Sequence, residues 1–179
     1  MALFYTGKGD KGSSLVGKKK YPKGSPILEA LGDLDELNSL LGVIRSSAKK
    51  DLKQKIFSIQ EDMFIIQAQI AWLMFKKFES PQLTKDKIQK MEQEIDKIEK
   101  KIKPERGFII SGEHELASWL DYARAVSRRV ERSAVKLNKI HKLSQELLAY
   151  LNRLSSYLYA LARFEILKSK IREKKPRYK

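Results

Sequence analysis

The sequence predicts an all-α fold, a five-helix bundle preceded by a glycine- and lysine-rich N-terminal loop. Three observations carry this. Five separated segments place apolar residues three and four apart, the period of one helix face. Breakers such as Ser80-Pro81 and the run Pro104 to Gly107 fall between those segments. Residues 1–26 lack the period altogether and hold Gly7, Gly9, Gly12, Pro22 and Pro26 instead.

Composition bounds the function. The chain has 179 residues, 42% of them hydrophobic, which suits one domain with a sizeable core. We divide it into a loop (1–26), a helical bundle (27–168) and a basic tail (169–179). The formal net charge of +15 makes anionic partners plausible, from nucleotides to nucleic acid. With no Cys, thiolate metal sites and Cys nucleophiles are excluded. His114 and His141 are the only histidines and lie too far apart for a convincing zinc site. No apolar run approaches a membrane span and no signal-like apolar stretch opens the chain, so a cytoplasmic location is expected.

In order, the first helix begins at Pro26, a residue suited to a first helical turn, with Leu34, Leu37, Leu41 and Ile44 as its seam over about 27–48. Asp33, Asp35 and Glu36 enrich its start in acid, which offsets the helix dipole. Asp35 and Asn38, three apart, could alternatively point at a ligand or at arginines elsewhere. The second seam is Ile56, Ile59, Met63, Ile66, Ile70 and Leu73, expected to end near Phe78. Phe57, Phe64, Trp72 and Phe75 add apolar surface beyond that stripe, as a second neighbour or another subunit requires. Thr84 can cap a third helix whose stripe is Ile88, Met91, Ile95, Ile98 and Ile102. The second and third helices alternatively form a coiled-coil hairpin, although each stripe is short.

A fourth helix is expected over about 112–137, capped by Ser111, with Leu116, Leu120, Ala123, Ser127, Val130, Ala134 and Leu137 inward. Before it, Phe108 reads as a core plug or a ligand wall. The fifth runs over about 144–168 on Leu147, Leu151, Leu154, Leu158 and Leu161. Asn152, beside that seam, reads as an inward amide in need of partners. The lysine- and arginine-rich end reads as a frayed tail.

Two stretches can carry chemistry. Arg124, Arg128 and Arg132 recur every four residues on the fourth helix, with Glu131 beside them. Such a row repels itself and calls for carboxylates or a phosphate; taken alone, a solvated basic face explains it as well. In the N-terminal loop, Gly7, Gly9 and Gly12 satisfy G-x-G-x-x-G, but no full strand precedes them and no helix follows directly, so the dinucleotide-fold reading fails. Its glycines, Lys8, Lys11, Thr6, Ser13 and Ser14 can still cradle an anion, or form a flexible basic arm; the segment alone does not choose.

Four blocks in order resemble the PduO-type ATP:cob(I)alamin adenosyltransferases. They run from Tyr5 to Ser13 (YTGKGDKGS), from Glu29 to Gly42 (EALGDLDELNSLLG), from Arg124 to Arg132 (RAVSRRVER) and from Tyr150 to Ser155 (YLNRLS). The resemblance implies a ferritin-like up-down five-helix bundle, a homotrimer with active sites between subunits, and ATP, Mg2+ and a reduced corrinoid as ligands. The corrinoid would be cob(I)alamin or cob(I)yrinic acid a,c-diamide, adenosylated at cobalt with release of triphosphate. By position, Thr6, Gly7, Lys8, Gly9, Asp10, Gly12 and Ser13 form the phosphate loop, with Lys23 near the phosphates. Arg128 pairs with Asp35 across the interface; Arg132, Glu131 and Asn152 contact ATP, and Arg124 supports the site. Phe108 lies against the corrin and displaces the lower axial ligand. No protein side chain is expected to ligate the metal, which the ATP phosphates hold.

Some positions depart from the family. Phe108 to Glu113 reads FIISGE where the family has Phe-Ile-Leu-Pro-Gly-Gly, Asp121 stands for a common His, and Ile27 for a common Arg. These bear on the corrin wall and loop ends rather than on ATP. Two competing readings remain. A basic bundle binding nucleic acid lacks a helix-turn-helix, zinc finger or aromatic platform. A non-catalytic nucleotide-binding protein sits poorly with an intact phosphate loop, Asp35, Arg128 and Asn152. Neither nucleic acid nor membrane is therefore expected as a partner.

Overall fold

A computed structural model describes residues 4–5, 7–16, 18–76, 79–102 and 107–178. Its elements are β1 (Ser13–Val16), β2 (Lys19–Pro22), α1 (Pro26–Ser47), α2 (Lys50–Trp72), α3 (Lys85–Ile102), α4 (Glu115–Asn138) and α5 (Gln145–Ser169). The five helices form the bundle. The N-terminal segment is more ordered than a loop, because β1 and β2 pair antiparallel with Ser13 opposite Pro22 and Val16 opposite Lys19. Val16 and Tyr21 pack on the core, and the Tyr21 hydroxyl donates to the Met74 carbonyl at 3.0 Å, tying the hairpin to the end of α2.

The apolar seams decide the packing. Every expected seam residue of α1 and α5 is buried, as is that of α2 up to Ile70. The two-residue link between α1 and α2 makes them adjacent and antiparallel. α4 packs on both α1 and α5, and α5, set between α4 and α3, buries the most residues of any helix. α3 buries only Met91 and Ile98 and packs on α5 rather than zipping along α2, so the coiled-coil alternative fails. It meets α2 through long side chains, Lys55 on Glu94 and Lys87 on Asp62. Asp62 is buried and also accepts from the Tyr150 hydroxyl at 2.9 Å, so one carboxylate joins α2, α3 and α5. Burial beside that carboxylate pushes the Tyr150 phenol well up, keeping it a neutral donor.

Four expectations are corrected. α2 stops at Trp72, not near Phe78, which lies outside the described residues; the Leu73 N–H turns back onto the Ile70 carbonyl. α4 starts at Glu115 and its cap is His114, whose Nδ1 accepts from the Ala117 N–H. The Ser111 hydroxyl, expected as that cap, instead donates to Asp121 at 3.0 Å. Finally, the tail does not fray after α5. Lys170 ends the helix in the left-handed region, and the chain folds back so that the Ile110 N–H donates to the Lys174 carbonyl at 2.8 Å.

Candidate active site

Local folding places the expected site residues in three groups. The first is the N-terminal loop. It closes through turns, with the Asp10 N–H on the Gly7 carbonyl and the Gly12 N–H on the Gly9 carbonyl, and is sealed by the Lys23 N–H on the Gly12 carbonyl at 2.9 Å. The Lys23 ammonium lies over Gly9, where an added Cβ would stand 3.3 Å from Nζ. Lys23 thus shares the space above the loop. Asp10 folds toward Gly7, and Lys8, Asp10 and Gly12 are exposed while Ser13 opens β1. Thr6 lies outside the described residues.

The second group bridges α4 and α5. Asn152 is exposed rather than inward, which corrects the sequence reading. Its amide donates to Glu131 at 2.7 Å and accepts from Arg153 at 3.0 Å. Arg153 then pairs with Glu92 of α3 at 2.7 Å, so the row runs across three helices. Both ends of the Asn152 amide are used, which fixes its orientation. Arg132 is exposed on α4 one residue past Glu131.

The third group lines a cavity of about 490 Å³ between the C-terminal half of α3, the 107–111 loop, α4 and α5. Phe108, Arg124 and Arg128 all face it, with Asp121, Tyr159 and Arg163. Phe108 is 76% exposed, so it is a wall and not a core plug. Arg124 approaches Asp121 at 3.9 Å and lies 6.0 Å from the Tyr159 ring centroid. A larger cavity of about 1000 Å³ adjoins, sharing Gly107, Ile109, Tyr159 and Arg163 and reaching the C-terminal segment. The two together combine apolar surface with cations at both ends, Arg124 and Arg128 in the smaller cavity and Arg172 and Arg177 in the larger, which suits a ligand with both apolar and anionic parts.

The acidic start of α1 does meet arginine, though not as expected. Asp33 and Glu36 engage Arg129, which lies off the row, and Asp33 also accepts from Ser133. The Glu36 hydrogen bond holds the Arg129 guanidinium protonated still more firmly than usual. Asp35 and Arg128 are both exposed, and among the described residues neither has an ion-pair partner within the chain. Asn38 turns its backbone carbonyl to Gln60 at 3.0 Å. Tyr159, Arg163 and Glu173 are among the cavity residues not singled out from the sequence. Arg163 was the most legible of them, as a lone charge inside the apolar run Leu158 to Phe164.

The chain has relatives among known proteins. The family model for cobalamin adenosyltransferase matches residues 4–165. The corrinoid adenosyltransferase PduO of Salmonella typhimurium is 36% identical over 166 residues, covering 90% of this chain and 49% of that protein. The chain thus spans about half the length of the PduO relatives it matches. The corrinoid adenosyltransferase of Bacillus subtilis is 33% identical over 164 residues, 89% of this chain and 84% of that one. Among solved structures, a Phe-to-His variant of the PduO-type ATP:corrinoid adenosyltransferase from Lactobacillus reuteri, complexed with cobalamin and ATP, superposes with a TM-score of 0.90 at 29% identity. That match covers 98% of this chain and 97% of the other. An Arg-to-Lys variant of the L. reuteri enzyme complexed with ATP gives 0.85 at 30% identity, covering 97% and 100%. With a family model spanning nearly its whole length and the same five-helix architecture, the chain belongs to the cobalamin adenosyltransferase family.

Proposed function

We propose that this protein transfers the 5′-deoxyadenosyl group of ATP to the cobalt of cob(I)alamin, releasing triphosphate. The observation that carries the reading is the cavity where Phe108 meets Arg124 and Arg128. It offers an apolar wall for the corrin and cationic groups for the nucleotide side, on a chain of the family to which that chemistry belongs.

In the reaction, the cobalt(I) electron pair attacks C5′, a cobalt–carbon bond forms, and the bond from C5′ to the triphosphate oxygen breaks with its electrons leaving on triphosphate. Cobalt(I) supplies the nucleophile, so the protein needs no Ser, Cys or His. Its work is to orient C5′, to meet the charge developing on the departing triphosphate, and to exclude water. The loop N–H groups around Gly9 and Gly12, with Lys8 and Lys23, suit the triphosphate. Glu131 and Asn152, held by their mutual hydrogen bond, suit the adenosine hydroxyls, and Arg132 the phosphates. Phe108 would lie against the corrin in place of a lower ligand to cobalt, which would make the cobalt easier to reduce. Mg2+ enters this reading on the ATP phosphates.

The working unit is a homotrimer, with the loop of one subunit meeting the arginine row of the next and Asp35 pairing Arg128 across the contact. Exposed Phe57 and Phe64 on α2 and Trp119 and Tyr122 on α4 support an assembly that covers them. Residues 1–179 act as a single adenosyltransferase domain, placed in the cytoplasm where ATP is supplied. The test incubates the protein with Mg-ATP and chemically reduced cobalamin while following the cob(I)alamin absorbance. Conversion to adenosylcobalamin with one triphosphate per turnover is expected; no conversion at any ATP concentration overturns the reading.

A further inference from the structure

A buried charge cluster beside the cavity has no part in the reaction just described, yet it ties the Phe108 loop to two other parts of the chain. Gly107 and Gly112 bracket that loop with φ of 135° and 133°. Few residues other than glycine adopt such values, and a segment bounded by two glycines has little stiffness of its own. Its position has to come from contacts. Three are present: the Ile110 N–H on the Lys174 carbonyl at 2.8 Å, the Ser111 hydroxyl on Asp121 at 3.0 Å, and the Lys174 ammonium on Glu113 at 2.8 Å.

Arg163 underlies all three. It is 6% exposed, and its two terminal nitrogens divide between Asp121 of α4 and Glu173 of the C-terminal segment. Its face lies 5.0 Å from the Tyr159 ring centroid, which orients the plane of the fork. Asp121 therefore accepts from both Arg163 and Ser111, while Glu173 anchors the residue next to Lys174. A planar guanidinium between two carboxylates fixes angles as well as distances.

Burial pushes the Glu173 carboxyl up even with Arg163 alongside, so desolvation offsets much of the attraction. What the cluster supplies is geometry.

We propose that Arg163, bridging Asp121 and Glu173, is a positioning residue that braces the Phe108 loop against the C-terminal segment and sets how tightly the corrinoid is received. This rests on the adenosyltransferase reading. The test compares Glu173→Gln and Arg163→Lys with the unmodified protein. Glu173→Gln keeps the shape but loses the charge; Arg163→Lys keeps the charge but cannot bridge both carboxylates. Three quantities are read: KM for cob(I)alamin, KM for ATP, and the fraction of bound cob(II)alamin in the four-coordinate form, which reports directly on Phe108.

Each variant is expected to raise the corrinoid KM about fivefold or more and to lower the four-coordinate fraction, with the ATP KM unchanged within about twofold. Variants that match the unmodified protein in corrinoid KM and four-coordinate fraction overturn the proposal. So does an ATP KM that rises in step, since that reports a general structural loss. If the unmodified protein itself turns nothing over, the adenosyltransferase reading fails, and the proposal with it. That outcome is distinct from an active parent with indifferent variants.

Discussion

Arg128 is exposed on α4 and faces the Phe108 cavity, yet among the described residues it pairs with no carboxylate. Its neighbour Arg129 takes the acids of α1 instead. A guanidinium left without a partner beside a cavity is available for a second subunit or a ligand, and removing it should cost the fold little. Arg128→Ala is therefore expected to keep its melting temperature while turnover falls about a hundredfold, the scale of losing one preorganised charged group at a reacting centre. Initial rates with reduced cobalamin check this, and a rate within a few-fold of the unmodified protein would remove Arg128 from the site. The arginine row was legible because a period of four is visible in sequence. Which member would meet Asp33 and Glu36 was not, since that depends on the rotation of α4 against α1. Asn152 illustrates the same limit. Its place beside Leu151 suggested an inward amide, but a small rotation of α5 turns it outward to Glu131, 21 residues away.

At the level of elements, apolar periodicity located all five helices, and the errors lie at their ends. Ser111 is a good cap by residue type, yet Asp121 claims its hydroxyl and the helix begins three residues later on His114. Competition of that kind is tertiary and leaves no local trace. The tail was misread for a related reason, as its lysines suggest solvent while Glu173 and Ile110 hold it down. α3 offers a test of its own. Its burial is slight, so its attachment leans on charge, and Glu94 receives Lys55 of α2 and Lys97 of its own helix. The Lys55 hydrogen bond, then that of Lys97, holds the Glu94 carboxyl below its ordinary range. A depressed folded pKa contributes stability that is present above the unfolded value of about 4.3 and lost as pH falls through the folded value. The unmodified protein should thus exceed Glu94→Gln by about 1 kcal/mol or less near neutrality. That gap should close as pH drops below about 5. Melting temperatures of the two proteins across that window decide it, and a gap that persists or widens in acid contradicts the assignment.

For the whole molecule, the N-terminal loop and the arginine row are held by different elements. The loop with Lys23 is fastened to the end of α2 through Tyr21, whereas the arginine row belongs to α4, set between α1 and α5. If a site is built from the loop of one subunit and the row of the next, two differently damaged subunits can restore one another. Lys23→Ala removes a loop cation and leaves the row intact, and Arg128→Ala does the converse. Each variant alone should be nearly inactive. Co-expressed in equal amounts, they assemble at random, and about a quarter of the sites pair an intact loop with an intact row. The expected activity is therefore about a quarter of the unmodified level, in a species of three times the 20.7 kDa chain mass. Sites contained within single chains would yield no recovery at any ratio, because every chain then carries one lesion. A trimer without recovery would separate assembly from catalysis, and a monomer with full activity would remove the shared site altogether. Recovery near a quarter would also identify Lys23 and Arg128 as members of the same site, a link that neither single variant can establish.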